Sequence, residues 1–425
     1  MFKDTGAVDA ASILFNLDEY KVLSAGVSPV GRTVVIEPIS TEAGCPSCGV
    51  ISSRIQARPV HRVKDVSCGG RDLEVLVRKR RLACLETACE RRSFVQTTDQ
   101  IPLRSRLTTR LVGAIVEAAS TEVRSVSGLA VAHGVTWPTV MRKITDIGQM
   151  VGNVDYRFVR RLGIDEHRFR RVRFVRNTSG KVQRIEPWSI VFTDLDTGMI
   201  LDVVDGRRGA TVLKWIGARP RYWRQRVHYV AIDMSTEFRK AVRSALPKAK
   251  ISVDHFHVVA KTNEMVTNVR RRRSHEKVGR RGRMSEPTYR YRKLLTCNLE
   301  NLSNKQTERL KDVLAADTEL GIIYAFKEHV RDLLKTTNID DFQRRWAVLE
   351  RSVKASKLKE ARSLFGTLKM WRKELLVFCR TRLTNARSEA ANLTAKNMKR
   401  IGRGYTNHGN YRLRILLSTQ GLRPC

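Results

Sequence analysis

The sequence predicts an α/β core that carries a helical insertion and is preceded by a small β-rich metal module and an all-α domain. Three observations lead there. Strand and helix patterns alternate from about residue 155 to 262, as in a mixed sheet flanked by helices. Four of the eight cysteines fall in two close pairs ahead of that region. Between the two lies a helical stretch punctuated by Gly128, Gly134 and Pro138. A chain of 425 residues also exceeds what one simple core needs. With 80 Lys+Arg against 42 Asp+Glu, the formal charge of +38 predicts a polyanionic partner, nucleic acid first. No segment approaches the roughly 18 apolar residues of a spanning helix and no N-terminal signal pattern is seen. No membrane partner is therefore expected, and the chain is placed in the cytoplasm, on the nucleoid.

Residues 1–40 hold short apolar runs and are read as an N-terminal arm. Residues 41–100 form the cysteine module, around the period-two stretch RDLEVLVRKRRLAC. Cys45-Pro-Ser-Cys48 and Cys84-Leu-Glu-Thr-Ala-Cys89 put two thiolates on each of two tight turns, which suits a closed, structural Zn²⁺ site. Gly49 lets backbone amides turn toward the sulfurs. Cys68, Cys297, Cys379 and Cys425 are scattered and are read as small buried or incidental residues.

Residues 101–155 read as an all-α DNA-binding domain. Ala130, Gly134 and Val140 have helix-turn-helix spacing: a small residue where the helices cross, glycine in the turn, and an apolar anchor in the second helix. Thr136, Trp137, Thr139, Arg142 and Lys143 would then face the major groove or its phosphates.

Residues 156–262 are the first part of the core. In Leu162-Gly-Ile-Asp165-Glu-His167, alternation puts Asp165 and His167 on one face of a strand. A strand from Trp188 turns at Asp194 and Asp196, read as turn formers, into a second strand. A helix near Ala210 to Gly217 precedes Val227 to Asp233, an apolar run suited to a central strand ending in a carboxylate. That order is the one of an RNase H-like fold, in which the first and fourth strands lie side by side and two aspartates can share divalent metal. Asp254-His255-Phe-His257, after a strand from Ala249 to Val253, is read mainly as a cap, with a His-containing metal site as the competing reading.

Residues 263–384 are charged, helical and read as an insertion. Its run from Arg270, Arg271, Arg272 and Arg273 to Arg283 has eight basic residues in fourteen, expected to be too charged to pack and suited to phosphates. Residues 385–425 return to the core as a helix and tail. Asn385, Glu389, Asn392 and Lys396 fall on one polar stripe, so Glu389 offers a third acid while Lys396, Lys399, Arg400 and Arg403 continue toward phosphates.

Taken together, CPSC, the CLETAC pair, GIDEH, AIDMS, VDHFHVV and TNARSEAAN followed by RIGRGYTNHGNYRLRIL resemble the bacterial insertion-sequence transposases of the ISL3 group over roughly residues 40–415. The resemblance implies a zinc ribbon, a helix-turn-helix and a DDE core, with Asp165, Asp233 and Glu389 as the catalytic acids holding Mg²⁺ or Mn²⁺. Alanine follows Glu389, where members often carry glycine. The expected activity is binding to the terminal inverted repeats, then cleavage of DNA and strand transfer to a target, by a homodimer or higher oligomer. Two rival readings are an RNase H-like DNA nuclease and a zinc/helix-turn-helix regulator without catalysis.

Overall fold

A computed structural model describes residues 10–28, 31–122, 124–148 and 153–420. Cys425 and the first nine residues of the expected arm lie outside the described residues. The chain forms two compact units: one comprises the spans up to 151, 398–403 and 409 onward, the other 152–397 with 404–408. Among the described residues no helix is long and apolar enough to cross a membrane.

The first unit opens with α1 (Ala10–Phe15), β1 (Tyr20–Ser28) and β2 (Gly31–Pro38), followed by β3 (Ala43–Gly44), β4 (Ile51–Ser52), β5 (Ile55–Ala57), β6 (Val60–Lys64), β7 (Leu73–Arg78), β8 (Arg81–Ala83) and β9 (Ser93–Val95). The sheet order β1-β2-β7-β6 shows that the expected arm is not separate. The free edge of β7 is taken by parallel pairing with β2, and Ile36 of β2 is buried together with Val63, Val75 and Val77. RDLEVLVRKRRLAC likewise breaks into β7 and β8, which belong to different sheets. The break falls at Lys79 and Arg80, whose side chains turn inward; Arg80 donates to the carbonyls of Pro38 (3.0 Å) and Ser40 (2.5 Å) and pairs with buried Glu37 at 3.3 Å.

Three helices follow: α2 (Thr109–Thr121), α3 (Val126–Ala132) and α4 (Trp137–Gly148). Thr108 and Ser125 cap the first two, accepting from Leu111 N and Gly128 N. Leu111, Ile115, Leu129, Ala130, Val140 and Ile144 form their core. Gly134 has φ +55°, and a Cβ there would meet Lys64 Nζ at 2.2 Å, because Lys64 donates to the Gly134 carbonyl at 2.6 Å. A side chain there would meet the left-handed backbone penalty and have to displace the Lys64 amine, so glycine is favoured in that turn.

The second unit is built on β10 (Arg161–Arg168), β11 (Arg173–Arg176), β12 (Val182–Ile185), β13 (Trp188–Asp194) and β14 (Ile200–Asp205), then α5 (Gly209–Gly217), α6 (Arg221–Arg226), β15 (Tyr229–Ile232), α7 (Thr236–Ala245) and β16 (Lys250–Val253). The main sheet runs β14-β13-β10-β15-β16, so the first and fourth strands of the expected series are neighbours, and β10, β15 and β16 are parallel. Asp194 closes the β13–β14 turn, its carboxylate accepting from Asp196 N at 3.0 Å and Thr197 Oγ1 at 2.7 Å.

The insertion comprises α8 (His255–Val278), α9 (Pro287–Arg290), α10 (Asn304–Ala315), α11 (Thr318–Lys335), α12 (Ile339–Ser356), α13 (Lys359–Met370) and α14 (Arg372–Thr381). Its apolar residues join those of the sheet in one continuous core. The basic run packs, contrary to expectation. Arg272 meets Glu319 (2.6 Å), Glu360 (2.7 Å) and Glu276 (2.9 Å), and Arg273 meets Glu276 (2.8 Å) and Asp317 (3.1 Å). Acids on α11 and at the start of α13 neutralise charge that looks unpaired along the sequence. Arg270 is also buried, while Arg271 stays exposed.

The chain closes with α15 (Ala386–Ile401) and α16 (His408–Gln420). The span 385–425, expected to belong wholly to the core, is divided: α15 runs along β10, whereas α16 from residue 409 packs in the first unit. Leu417 sits among the buried residues of α2–α4, and fully buried Arg414 donates to the carbonyls of Ala119 (2.6 Å) and Arg124 (2.9 Å). The Ala119 carbonyl lies in the last turn of α2, where backbone acceptors lack helical partners, and that of Arg124 lies in the link to α3.

Candidate functional site

The parallel strands β15 and β16 end in register with the middle of β10. Ile164 on β10 pairs with Ile232 on β15, which pairs with Val253 on β16, and the next residue on each is an aspartate: Asp165, Asp233 and Asp254. Neighbouring strands lie about 4.8 Å apart, so equivalent positions form a row of carboxylates at the carboxyl edge of the sheet.

The row is electrostatically crowded. Burial, then the charge of Asp233, raises the Asp165 carboxyl to about 6, against the lowering effect of the Glu166 amide and the Asn392 side chain. Asp254 is fully buried. Its Oδ1 caps α8 by accepting from Phe256 N at 3.3 Å, while no donor reaches its buried Oδ2. His257 Nε2 stands 3.0 Å from Asp233 Oδ2, and that hydrogen bond is the main reason its imidazole is raised. Ligand atoms of Asp233, Asp254 and His257 all lie within 4.8 Å of one another. The expected cap at Asp254 is therefore present together with a place in the acidic cluster. The signal for it in the sequence is the position of DHFH directly after a third parallel strand.

The helix α15 brings the remaining groups. It approaches β10 closely because residue 163 is glycine: a Cβ there would stand 2.1 Å from Ser388 Oγ. Asn385 Nδ2 donates to Ile164 O at 3.3 Å. Asn392, also buried, donates to the Asp165 carboxylate, and its Oδ1 lies 3.2 Å from His167 Nδ1, so Asp165 and His167 do share a face. Glu389 is on the exposed border of that helix face. Burial first, then Asp254 and Asp233, raise its carboxyl above the usual range. The polar stripe expected through Asn385, Glu389, Asn392 and Lys396 thus separates into a buried amide face and an exposed edge. Lys396 and Arg400 are exposed and Lys399 is half-buried.

In the first unit the sulfurs of Cys45, Cys48, Cys84 and Cys89 converge within 4.8 Å, with Cys48 and Cys84 at 3.5 Å. Tetrahedral zinc–thiolate bonds of ~2.3 Å require sulfurs ~3.8 Å apart, so the set fits that metal. The hairpins β3–β4 and β8–β9 each present one pair. Gly49, at φ +78°, donates its amide to Cys45 O at 2.8 Å. Burial opposes ionisation of Cys45, but the amides of Cys48 and Ser47 bring its thiol down to about 7. Cys48 accepts from the Val50 amide, yet burial and the other three sulfurs push it up to about 12. Such crowding is what a bound cation relieves.

Of the groove-facing candidates, Thr136, Trp137 and Arg142 are exposed at the start of α4 and along it. Thr139 is half-buried and bonded to Thr136 (2.9 Å), and Lys143 lies 3.6 Å from Asp146.

The sequence profile of the ISL3 family of DDE transposases, described as a transposase, matches residues 162–415. The transposase for insertion sequence element IS1001 of Bordetella parapertussis is 24% identical over 401 residues, covering 92% of this chain and 93% of that protein. The Drosophila P element transposase strand transfer complex aligns with a TM-score of 0.37 and 10% identity, over 75% of this chain and 93% of that one.

Proposed function

Because the chain belongs to the ISL3 family of DDE transposases, we propose that Asp165, Asp233 and Glu389 are its catalytic acids and that it cuts and joins the ends of its own element. The observation that carries this reading is the row of carboxylates formed by Asp165 within β10 and by Asp233 and Asp254 just past β15 and β16, faced by Glu389 from α15. The charge of Asp233 raises the carboxyls of both Asp165 and Glu389, and no donor reaches Asp254 Oδ2 beside Asp233 and His257, which suits a set of cation ligands. Magnesium or manganese, when bound, would activate water or a 3′-hydroxyl and stabilise the leaving oxygen of an in-line displacement. Asn392 fixes which Asp165 oxygen faces the cleft, and His257 holds Asp233 through its imidazole. Asp254 and His257 stand as additional ligands or phosphate-orienting groups of the same centre.

The four cysteines would hold structural zinc in a ribbon, and Thr136, Trp137, Thr139, Arg142 and Lys143 would read terminal repeats from α4. Arg271, Lys396, Lys399 and Arg400 are phosphate contacts in this reading; Arg270, Arg272 and Arg273 serve the fold instead. Joining two ends requires at least a dimer.

The test replaces Asp165, Asp233 or Glu389 by Asn or Gln in the full chain, with Glu350→Gln as an exposed control. Repeat binding should persist while cleavage in Mg²⁺ falls at least a hundredfold, since several kcal/mol of charge stabilisation are lost at about 1.4 kcal/mol per tenfold. A Glu389→Gln protein that cleaves as well as wild type would remove Glu389 from the site.

A further inference from the structure

Between β10 and β13 the chain leaves the sheet as a separate ribbon. Among the described residues the strands β11 and β12 pair with each other and with no other strand, and every residue of both is exposed. An isolated two-stranded hairpin is marginal in water, and this one exposes Phe174 (70%) and Val182 (60%) without cover. On one face Phe174 stands opposite Arg184 and Arg176 opposite Val182; on the other, Arg173 stands opposite Ile185. Both faces therefore mix cationic and apolar side chains. Residues 170–185 contain Arg170, Arg171, Arg173, Arg176, Lys181 and Arg184 and no acid, while Glu186, just past β12, pairs with Arg184 at 2.6 Å.

The ribbon is fixed at its base and aimed by the sheet. Phe169 N donates to Pro187 O at 3.1 Å, and Trp188, opposite Arg168 in the register, lies between Arg168 (5.1 Å) and Arg207 (4.4 Å). An Asx turn closes the tip, Asn177 Oδ1 accepting from Ser179 N (3.1 Å) and Lys181 N (2.9 Å). Following β10 past Asp165 leads in three residues to Arg168, so the ribbon springs from the edge of the sheet that carries the carboxylates.

We propose that β11–β12 is a second DNA-contacting element, lying in a groove of the duplex that enters the acidic site, with its arginines and lysine on phosphates and Phe174 against sugars or bases. This rests on the reading of that site as the place of DNA cleavage. A major groove admits a two-stranded ribbon, and charge selects the occupant. A second copy of this chain, at +38, would meet the ribbon with repulsion, whereas DNA complements it.

The experiment measures binding of full-length protein to a random-sequence duplex at several salt concentrations. The variants are Arg173→Ala/Arg176→Ala/Lys181→Ala/Arg184→Ala and, separately, Phe174→Ala. Each phosphate contact contributes about 0.9 to the slope of log affinity against log salt, so the quadruple variant should lose roughly 2–4 from that slope and at least tenfold in affinity. Phe174→Ala should weaken binding with the slope unchanged. Wild-type affinity and slope in both variants would overturn the ribbon's role, as would variants that lose self-association and keep DNA affinity. A wild-type protein that binds no duplex would overturn the functional reading itself, and the ribbon's role with it.

Discussion

Burial and the neighbouring charge of Asp233 hold the Asp165 carboxyl near 6, whereas an unfolded aspartate titrates near 3.8. The folded protein therefore binds the extra proton between those values, so stability falls as pH rises through that window and stays lower above it. Two pH units correspond to at most about 3 kcal/mol. Metal-free Asp165→Asn should accordingly be more stable than wild type at pH 8 by up to about 3 kcal/mol, with the gap closing near pH 4. Denaturant unfolding at the two pH values measures it, and equal stability at both would show that the carboxylate is not strained. Alternation along GIDEH was enough to orient Asp165 and His167, because a strand has a period of two. Spacing could not show that Asn392 would bond both, since 227 residues separate it from Asp165 and only the packed helix unites them.

Among the elements, β-hairpins do for the cysteines what the parallel strands do for the acids: each pair is held at the turn of a hairpin whose strands are only two or three residues long. Apart from the sulfurs, that core holds little beyond Leu82 and Phe94. Zinc should therefore supply much of its stability, as small closed sites generally do. In the full chain, Cys48→Ser is expected to lose one equivalent of zinc and to expose the backbone amides of β3, β4, β8 and β9 to hydrogen exchange, leaving those of β7, β10, β15 and β16 protected; zinc analysis and exchange on the same sample decide it. Paired cysteines were legible because ligand spacing is local. The β11–β12 ribbon was not, since Arg-Phe-Val-Arg and Val-Gln-Arg-Ile lack the one-sided apolar pattern of a strand on a core. The packing of Arg272 and Arg273 was hidden for another reason, their acidic partners other than Glu276 lying 44 to 88 residues away.

At the scale of the whole molecule, the first unit is discontinuous in sequence, being completed by α16. Tyr411, Ile415 and Leu417 are fully buried, and Arg414 takes up the carbonyls of Ala119 at the end of α2 and of Arg124 in the link to α3. A fragment ending at residue 151 should expose that apolar seat, aggregate or unfold several degrees below the intact unit, and bind DNA poorly. Thermal unfolding of the fragment, alone and with a peptide of residues 405–420, checks this; a fragment as stable as the intact unit would mean that α16 is dispensable. The same arrangement has a consequence for synthesis. A ribosome adding roughly 5–20 residues per second needs on the order of tens of seconds to travel from the end of α4 to the start of α16. Throughout that interval the nascent helix-turn-helix lacks its last packing layer. A truncated translation product would then carry α2–α4 with the apolar seat of α16 uncovered, so that this unit is sealed only when the chain is finished.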